Sequence, residues 1–283
     1  MIKFIRFKKI FLATSFIGLF SAQSFAQNNN QTLSPKEKKR QERNERIDKI
    51  IRQEEEGALV YSTQNIWGLK LYSDGWGFAY ERGFMKTVNK TNLFGIEIGE
   101  RKDHHEYKYN TLQTGGGFIT SNSFIYGKQN NFLFAKIGVG QSYLIGGKGN
   151  RNGVAVSAIY YGGVSVGLLK PYYVNSLDPS TNQYGPIKYL GDSSKNDENF
   201  LDVNMIDGKA GFFKGFGELK VKPGLFAKGA VRFDYGRYNE FVSAIETGVN
   251  VEFYTSDMPI LVKNDPKKLF LNVFVAIEFG NRK

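Results

Sequence analysis

Residues 225–235 have the sequence Leu-Phe-Ala-Lys-Gly-Ala-Val-Arg-Phe-Asp-Tyr, and this stretch decides the fold class. Its odd positions are apolar or glycine and end in two aromatics, whereas its even positions include Lys228, Arg232 and Asp234. Side chains on a β-strand alternate between two faces, so a period of two predicts a strand with one apolar and one charged face.

The same period recurs along the chain from Trp67 onward. In 241–254 the odd positions are mostly apolar, and the even positions carry Glu246 and Glu252. In 269–280 the odd positions are again apolar, and the even positions include Glu278. Further segments with the same division are 66–73, 94–101 and 131–143. The pattern predicts an all-β protein.

The length and polar face of these segments favour a membrane barrel over a soluble β-sandwich, which also alternates. The predicted strands are about 9–12 residues long, which suits a tilted membrane crossing better than the soluble average of about 5–6. Their polar face is poor in Ser and Thr and rich in small residues with isolated charges, as a narrow lumen requires. We therefore expect an antiparallel transmembrane β-barrel of 8–10 strands.

The number of strands is open at this point. Nine candidates are visible: 65–73, 76–85, 92–102, 122–128, 131–143, 153–170, 221–235, 240–254 and 268–280. A bacterial barrel with both ends in the periplasm needs an even number. Gly162-Gly163 either splits the sixth candidate with a turn or marks a bend within one strand. We slightly prefer ten strands.

The N-terminal residues predict export. Met1 to Lys9 carries four basic residues, an apolar run extends from Ile10 to Phe20, and small residues occupy positions 24 and 26. This arrangement predicts a cleaved signal peptide over residues 1–26. The chain has no Cys, which excludes disulfides and a lipid-anchored start. The expected location is the outer membrane of a Gram-negative cell.

Residues 27–57 are predicted to form a polar leader and a charged helix ahead of a barrel over 58–283. Ser34 is the expected N-cap, Pro35 suits the first helical position, and the helix would end near Glu56. Its charges nearly cancel. Three isoleucines form its strongest apolar cluster, which belongs either to a solvated periplasmic helix or to a patch that contacts a partner: Ile47, Ile50 and Ile51.

Composition agrees with this class of protein. The chain contains 32 Gly, 24 Phe and 16 Tyr but 7 Pro, which suits wall bends and interfacial aromatics of a membrane barrel. The formal net charge of +11 is spread along the sequence and does not suggest a nucleic-acid surface. The expected partners are outer-membrane lipid and a periplasmic or membrane protein.

The even face of the strands predicts a charged lumen. Five cations and six anions are expected to point inward, where an unpaired charge would cost several kcal/mol. The structural interpretation is a salt-bridged plug that stiffens the barrel, and the alternative is a selective conduit for a small solute. The predicted set is Lys70, Glu81, Glu97, Arg101, Lys136, Lys228, Arg232, Asp234, Glu246, Glu252 and Glu278.

Enzymatic interpretations have weaker support. The two histidines are adjacent, in the sequence Asp103-His104-His105-Glu106. This group could supply a base or bind a metal, but consecutive residues of an extended chain point to opposite sides. The sequence contains no phosphate-binding loop and no G-x-S-x-G motif. We predict no catalytic residue, no metal site and no cofactor.

A long connection is expected at about 171–220. Residues 192–198 resemble a calcium-binding loop loosely but lack its glycine. The connection ends in an aromatic stretch that does not alternate, and these aromatics either cap the barrel or form a partner patch with the isoleucines. They are Phe212, Phe213 and Phe216.

Several segments together resemble a family of uncharacterised outer-membrane β-barrel proteins of Bacteroidota. Besides the charged helix, they are Gly75-Trp76-Gly77-Phe78, Tyr126-Gly127-Lys128, Phe212-Phe213-Lys214-Gly215-Phe216, Pro223-Gly224-Leu225-Phe226-Ala227-Lys228 and Phe279-Gly280-Asn281-Arg282-Lys283. The resemblance covers nearly the whole chain after the signal and implies a location and a fold but no reaction.

The leading functional hypothesis is a non-enzymatic outer-membrane barrel with a lumen closed by charge pairs. It would act as a structural or accessory component that engages a periplasmic or membrane partner. A narrow solute-selective channel is the first alternative, and a barrel enzyme that hydrolyses lipid or peptide is the second.

Overall fold

The computed structural model describes residues 36–45, 61–115, 118–149, 153–238 and 240–283. The chain divides into two compact units, 1–49 and 50–283. In the first unit, residues 36–45 form helix α1, which is part of the predicted helix. The predicted signal peptide and the isoleucines at 47, 50 and 51 lie outside the described residues.

The second unit is almost entirely β-sheet. Its described strands are β1 (Thr63–Tyr72), β2 (Gly75–Thr87), β3 (Lys90–Arg101), β4 (Lys108–Gly115), β5 (Phe118–Ile125), β6 (Asn130–Gly146), β7 (Ala155–Pro171), β8 (Tyr173–Asp178), β9 (Gln183–Lys188), β10 (Ile206–Lys209), β11 (Lys220–Asp234), β12 (Phe241–Met258) and β13 (Lys267–Arg282). One short helix, α2, spans Lys195–Leu201.

Eight strands close into an antiparallel barrel in the order β1-β13-β12-β11-β7-β6-β3-β2. The first strand pairs with the last from Gln64 opposite Arg282 to Tyr72 opposite Phe274, so the ring has no free edge. Closure satisfies the backbone hydrogen bonds of every wall strand without help from solvent. The predicted antiparallel barrel is confirmed.

Eight is the lower end of the predicted range, and the preference for ten strands is wrong. Strand β7 runs unbroken through Gly162-Gly163, which pairs continuously with β6 and β11. The candidate at 122–128 is not a wall strand, because Phe118–Ile125 pairs with β4 in a separate hairpin. With 153–170 counted as one strand and 122–128 removed from the nine candidates, eight wall strands remain.

The two ends of the barrel differ. At one end, two long excursions leave the wall: 102–129 contains the β4-β5 hairpin, and 172–219 contains the sheet β10-β8-β9 and α2. At the other end, short turns connect the strands, and the chain enters at Thr63 and leaves after Arg282. We call these the excursion end and the turn end. No described helix has the length and apolar character of a membrane span.

The excursions pack on each other over their own small core. Phe124 from β5 lies with Tyr172, Val174, Phe200 and Ile206 of the second excursion. The side-chain amide of Asn122 also donates to Asp207 over 3.3 Å. Because the two excursions share buried residues, they form one structure on top of the barrel.

Glycines make room for large side chains inside the lumen. Gly138 of β6 pairs with Gly163 of β7, and the ring of Phe226 lies against both. A Cβ atom at Gly138 would come within 2.7 Å of the Phe226 ring, and one at Gly163 within 2.2 Å of the Ile137 carbonyl oxygen. The inward glycines are therefore packing partners of aromatic rings.

Candidate functional site

The structure brings all eleven predicted inward charges into the lumen. Each is buried, with no more than 8 % of its surface exposed. Most neighbouring wall positions of opposite parity are apolar and point outward. These outward residues include Trp67, Leu69, Ile96, Ile98, Ile137, Val139, Val164, Leu225, Ile245, Val249, Leu271 and Val275.

One ion cluster is centred on Arg232 of β11. Its guanidinium group donates to both carboxylate oxygens of Glu81 over 2.8 and 3.0 Å. It also donates to Glu246 over 2.8 Å and to Glu278 over 3.2 Å. Lys228 donates to Glu246 over 2.9 Å. A single guanidinium thus joins carboxylates from three other strands. The planar guanidinium group has several N–H donors, so it can bind more than one carboxylate at once.

A second cluster lies toward the excursion end. Lys70 and Lys136 both contact Glu97, over 2.8 and 3.2 Å. Lys136 also contacts Glu252 over 2.6 Å. Arg101 pairs with Glu252 and, over 2.5 Å, with Asp74. The pairing therefore continues across the barrel from β1 to β12.

Sequence reasoning missed three members of this network: Asp74, Lys148 and Arg282. Asp74 lies in the β1-β2 turn, and Lys148 lies in the connection after β6, so neither falls in an alternating segment. Lys148 and Arg282 contact Asp234 over 3.3 and 2.6 Å. With them the described network contains seven cations and seven anions. Its net charge is zero.

Aromatic side chains fill the space between the charges. The guanidinium carbon of Arg101 lies 4.0 Å from the centre of the Tyr72 ring and 4.8 Å from that of Phe134. The hydroxyl of Tyr161 donates to Glu81 over 3.0 Å, and that of Tyr254 donates to Glu252 over 2.7 Å. A signal for these tyrosines was present in the sequence, because each lies on the alternating positions of its strand that point into the lumen.

Little space remains within this packing. The void beside Lys70, Glu81 and Lys228 has a volume of about 30 Å³. A second void, beside Arg232 and Asp234, also has a volume of about 30 Å³. Each can accommodate about two water molecules. Interior side chains thus fill the lumen at the level of the charges, as expected for eight strands.

The outer wall changes character near the excursion end. One row of paired outward residues, Phe78-Ile98-Ala135-Val166, is entirely apolar. The next row toward the excursions is Trp76-Glu100-Leu133-Leu168, and beyond it Asn131 pairs with Lys170. The apolar belt of the wall therefore gives way to polar residues within two rows.

A cleft opens at this boundary, between the outer wall and both excursions. Its volume is about 740 Å³, and its wall side includes Trp76 and Leu133. We call it the outer-wall cleft. Six lysines and three acidic residues line it: Lys102, Lys108, Lys128, Lys170, Lys209, Lys214, Glu100, Asp103 and Glu106.

The aromatic patch predicted at 212–216 borders this cleft. The Nζ atom of Lys170 donates to the Phe212 carbonyl oxygen over 2.7 Å and lies 4.3 and 4.4 Å from the ring centres of Phe212 and Phe216. Gly215 has a φ of 88°, and a Cβ atom there would lie 2.8 Å from the Pro171 carbonyl oxygen. The loop thus folds against the end of β7.

These aromatics do not cap the lumen. Phe213 is 83 % exposed, and Phe212 and Phe216 are exposed as well. The end of the lumen is instead packed with Phe132, Tyr254, Met258, Ile260 and Leu261, which belong to the buried core. The capping interpretation is wrong because the loop turns outward over Lys170.

The two histidines lie in the first excursion and are exposed. The Nδ1 atom of His105 lies 3.0 Å from Asp103, whose side chain also accepts from Asn264 over 2.9 Å. Partial burial raises the pKa of Asp103, but hydrogen bonds from His105 outweigh it, so this pKa lies below its ordinary value. Among the described residues, no three His, Cys, Asp or Glu side chains form a metal-binding group.

The loop that resembles a calcium site is organised by its own carboxylate. Asp197 accepts backbone hydrogen bonds from Leu190, Gly191, Asp192 and Ser193 over 2.7 to 3.3 Å. This carboxylate therefore holds the turn before α2. Its hydrogen-bonding capacity is used by the protein itself.

Comparisons with known proteins add structural likeness alone. No protein-family model and no curated protein matches the sequence. The attachment invasion locus protein Ail of Yersinia pestis is 8 % identical with a TM-score of 0.36, over 79 % of this chain and 100 % of Ail. Neisserial surface protein A is 8 % identical with a TM-score of 0.37, over 78 % and 96 %.

A third similar structure is a major outer membrane protein from Thermus thermophilus, which is 11 % identical with a TM-score of 0.36, over 78 % of this chain and 100 % of that protein. Similarity at this level carries no functional information. The fold of the present chain is defined by its own strand pairing.

Proposed function

We propose that this chain is an integral outer-membrane protein whose barrel is closed to solutes and has no enzymatic activity. It acts as a structural or accessory component that engages a membrane or periplasmic partner. The observation that carries the proposal is the division of the wall, with charges buried inside and apolar side chains exposed outside. In water such an exterior would be an aggregation hazard, whereas in a bilayer it is the lipid-facing belt.

The orientation follows from the unequal ends of the barrel. Outer-membrane barrels have short periplasmic turns and longer extracellular loops. The turn end would then face the periplasm, and the excursions 102–129 and 172–219 would lie outside the cell. This orientation places the long connection that begins near residue 171 at the cell surface.

The charge network supports a closed lumen over the channel alternative. Among the described residues, seven cations and seven anions pair across the interior, and the voids beside them hold about two waters each. A permeating solute would have to separate these pairs, which costs several kcal/mol for each buried charge left alone. The hydrolase alternative gains no support from the lumen, since both histidines lie in the first excursion.

The test uses the full chain reconstituted in lipid vesicles. A folded barrel should migrate faster in unheated than in heated detergent gels, and planar bilayers that contain it should show no solute-specific conductance steps. Conductance that Glu246→Ala alters would replace the proposal with the channel alternative. A chain without heat-modifiable migration would not be a membrane barrel.

The partner is tested by deletion of residues 34–56, compared with Phe213→Ser in the full chain. Phe213 is 83 % exposed, so its replacement should leave folding intact. A stoichiometric protein that co-purifies in mild detergent and is lost from either variant would identify the surface it contacts. A monomer that retains no protein under these conditions contradicts the accessory role.

A further inference from the structure

Among the described residues, the lining of the outer-wall cleft has an excess of positive charge, with six lysines against Glu100, Asp103 and Glu106. Lys128 pairs with Glu106 over 2.9 Å, and Asp103 is occupied by His105 and Asn264. Four of the remaining lysines are exposed and form no ion pair with any carboxylate of the described residues. They are Lys102, Lys108, Lys209 and Lys214.

Lys170 strengthens this imbalance because it is buried in the same cleft. It is 4 % exposed, and its hydrogen bond to a described group goes to the Phe212 carbonyl oxygen. An ammonium group carries three donors, so two remain for another acceptor. Glu100 attracts Lys170 from the same cleft but forms no salt bridge with it, so a bound anion would lower the remaining cost of burying this charge.

The floor of the cleft is apolar except for Glu100, which lies between Trp76 and Leu133 in the same wall row. Trp76 and Leu133 belong to the last wall row before the polar residues, and the rows below them continue the apolar belt. Phe212 forms part of another side. The cleft therefore offers cations at one level and hydrocarbon contact directly beneath it, which matches an amphiphile with an anionic head.

We propose that the outer-wall cleft binds the phosphate-bearing headgroup of an outer-leaflet lipid. The lysines hold the phosphate, and an acyl chain lies along the wall past Trp76 and Leu133. The volume of about 740 Å³ is in the range of small-ligand sites. The inference rests on the proposed membrane orientation, because that orientation sets the cleft at the level of the outer headgroups.

A lipid is favoured over a soluble phosphate compound by the position of the site. The cleft opens at the edge of the apolar belt of the wall. A membrane lipid can place its headgroup there while its acyl chain stays in the hydrocarbon of the bilayer. Basic residues near an anionic membrane surface each add to lipid binding. The chemistry shared by both ligands is the phosphate, so the experiment separates them by the acyl chain.

Trp76 provides a local probe, since the chain has two tryptophans and the other is Trp67. In a Trp67→Phe background, the full chain in neutral maltoside micelles is titrated with phosphatidylglycerol brominated on its acyl chains, and with the matched phosphatidylcholine. We expect half-maximal quenching of Trp76 at a mole fraction of phosphatidylglycerol at least about tenfold lower than that of phosphatidylcholine.

The site variant is Lys102→Gln with Lys209→Gln, which should abolish this preference. The matched control is Lys86→Gln with Arg237→Gln, two exposed cations at the turn end, and it should retain the preference. Glycerol phosphate is added as a competitor without an acyl chain. It should not reverse quenching at concentrations where unbrominated phosphatidylglycerol does.

Three outcomes would overturn the inference. Equal quenching by both lipids would show no recognition of phosphate charge. An equal loss in the control variant would show unspecific attraction, and efficient competition by glycerol phosphate would show a soluble ligand. Heat-modifiable migration is measured on the same samples. A protein that migrates as a folded barrel without lipid preference contradicts this inference alone, whereas one that does not fold as a barrel contradicts the proposed function.

Discussion

Lysine lines both the lumen and the outer-wall cleft, but its surroundings differ. Inside, Lys70 and Lys136 both lie within hydrogen-bond distance of Glu97, and their burial is nearly complete. In the cleft, Lys102 and Lys209 are exposed and have no carboxylate partner among the described residues. Removing one partner of a buried charge pair leaves an uncompensated charge and destabilises the fold, whereas an unpaired cation at a surface contributes little to stability and is available to a ligand.

The largest expected effect is in the lumen. Replacing Arg232 by Met leaves Glu81, Glu246 and Glu278 without their shared cation, which should lower the free energy of unfolding by about 3–5 kcal/mol. The measurement is guanidinium unfolding of the barrel in lipid vesicles, with Arg237→Met in the exposed β11-β12 turn as control. A loss no larger than that of the control would mean that the network does not stabilise the barrel.

An intermediate effect is expected where the lumen is tightly packed. Gly138→Ala forces a Cβ atom toward the Phe226 ring, within 2.7 Å of it, and should cost about 1–3 kcal/mol. Gly146→Ala is the control on the same strand, because no atom lies within 4 Å of its Cβ position. Equal unfolding midpoints for the two variants would show that the lumen accommodates the added methyl group at little cost in stability.

The smallest effect is expected in the cleft. Lys102→Gln with Lys209→Gln should change the free energy of unfolding by less than about 0.5 kcal/mol, since neither lysine forms an ion pair with a carboxylate of the described part of the chain. A fall of several kcal/mol would place these residues in the same structural class as the lumen charges. The comparison between the two regions would then no longer hold.

The sequence predicts the lumen better than the cleft, for a physical reason. A strand has a fixed period of two, so the parity of Lys228 and Arg232 decides that they share a face before any partner is known. Asp74 and Lys148 lie in connections, where no period applies, and were missed. Their roles depend on how the connections fold back over the ends of the barrel.

The cleft has no comparable local signal. Lys170 and Lys209 come from β7 and β10, and the fold of the second excursion brings them to one surface. The strands of that excursion are 4 to 6 residues long, too short to show a clear period. The segment 122–128 differs from these, because it overlaps β5, an eight-residue strand that pairs with β4 instead of the wall. Residues that meet through an excursion can be identified after its fold is known.

The Arg232 cluster has a consequence for the order of assembly. Its carboxylates come from β2, β12 and β13, and Glu81 is 151 residues away in the chain. A growing chain cannot complete the cluster until its last strand has been made and has met its first. A half-built ring would carry carboxylates without their counter-ion into hydrocarbon, which is strongly unfavourable. Strand closure and bilayer entry are thereby coupled into one late, cooperative event.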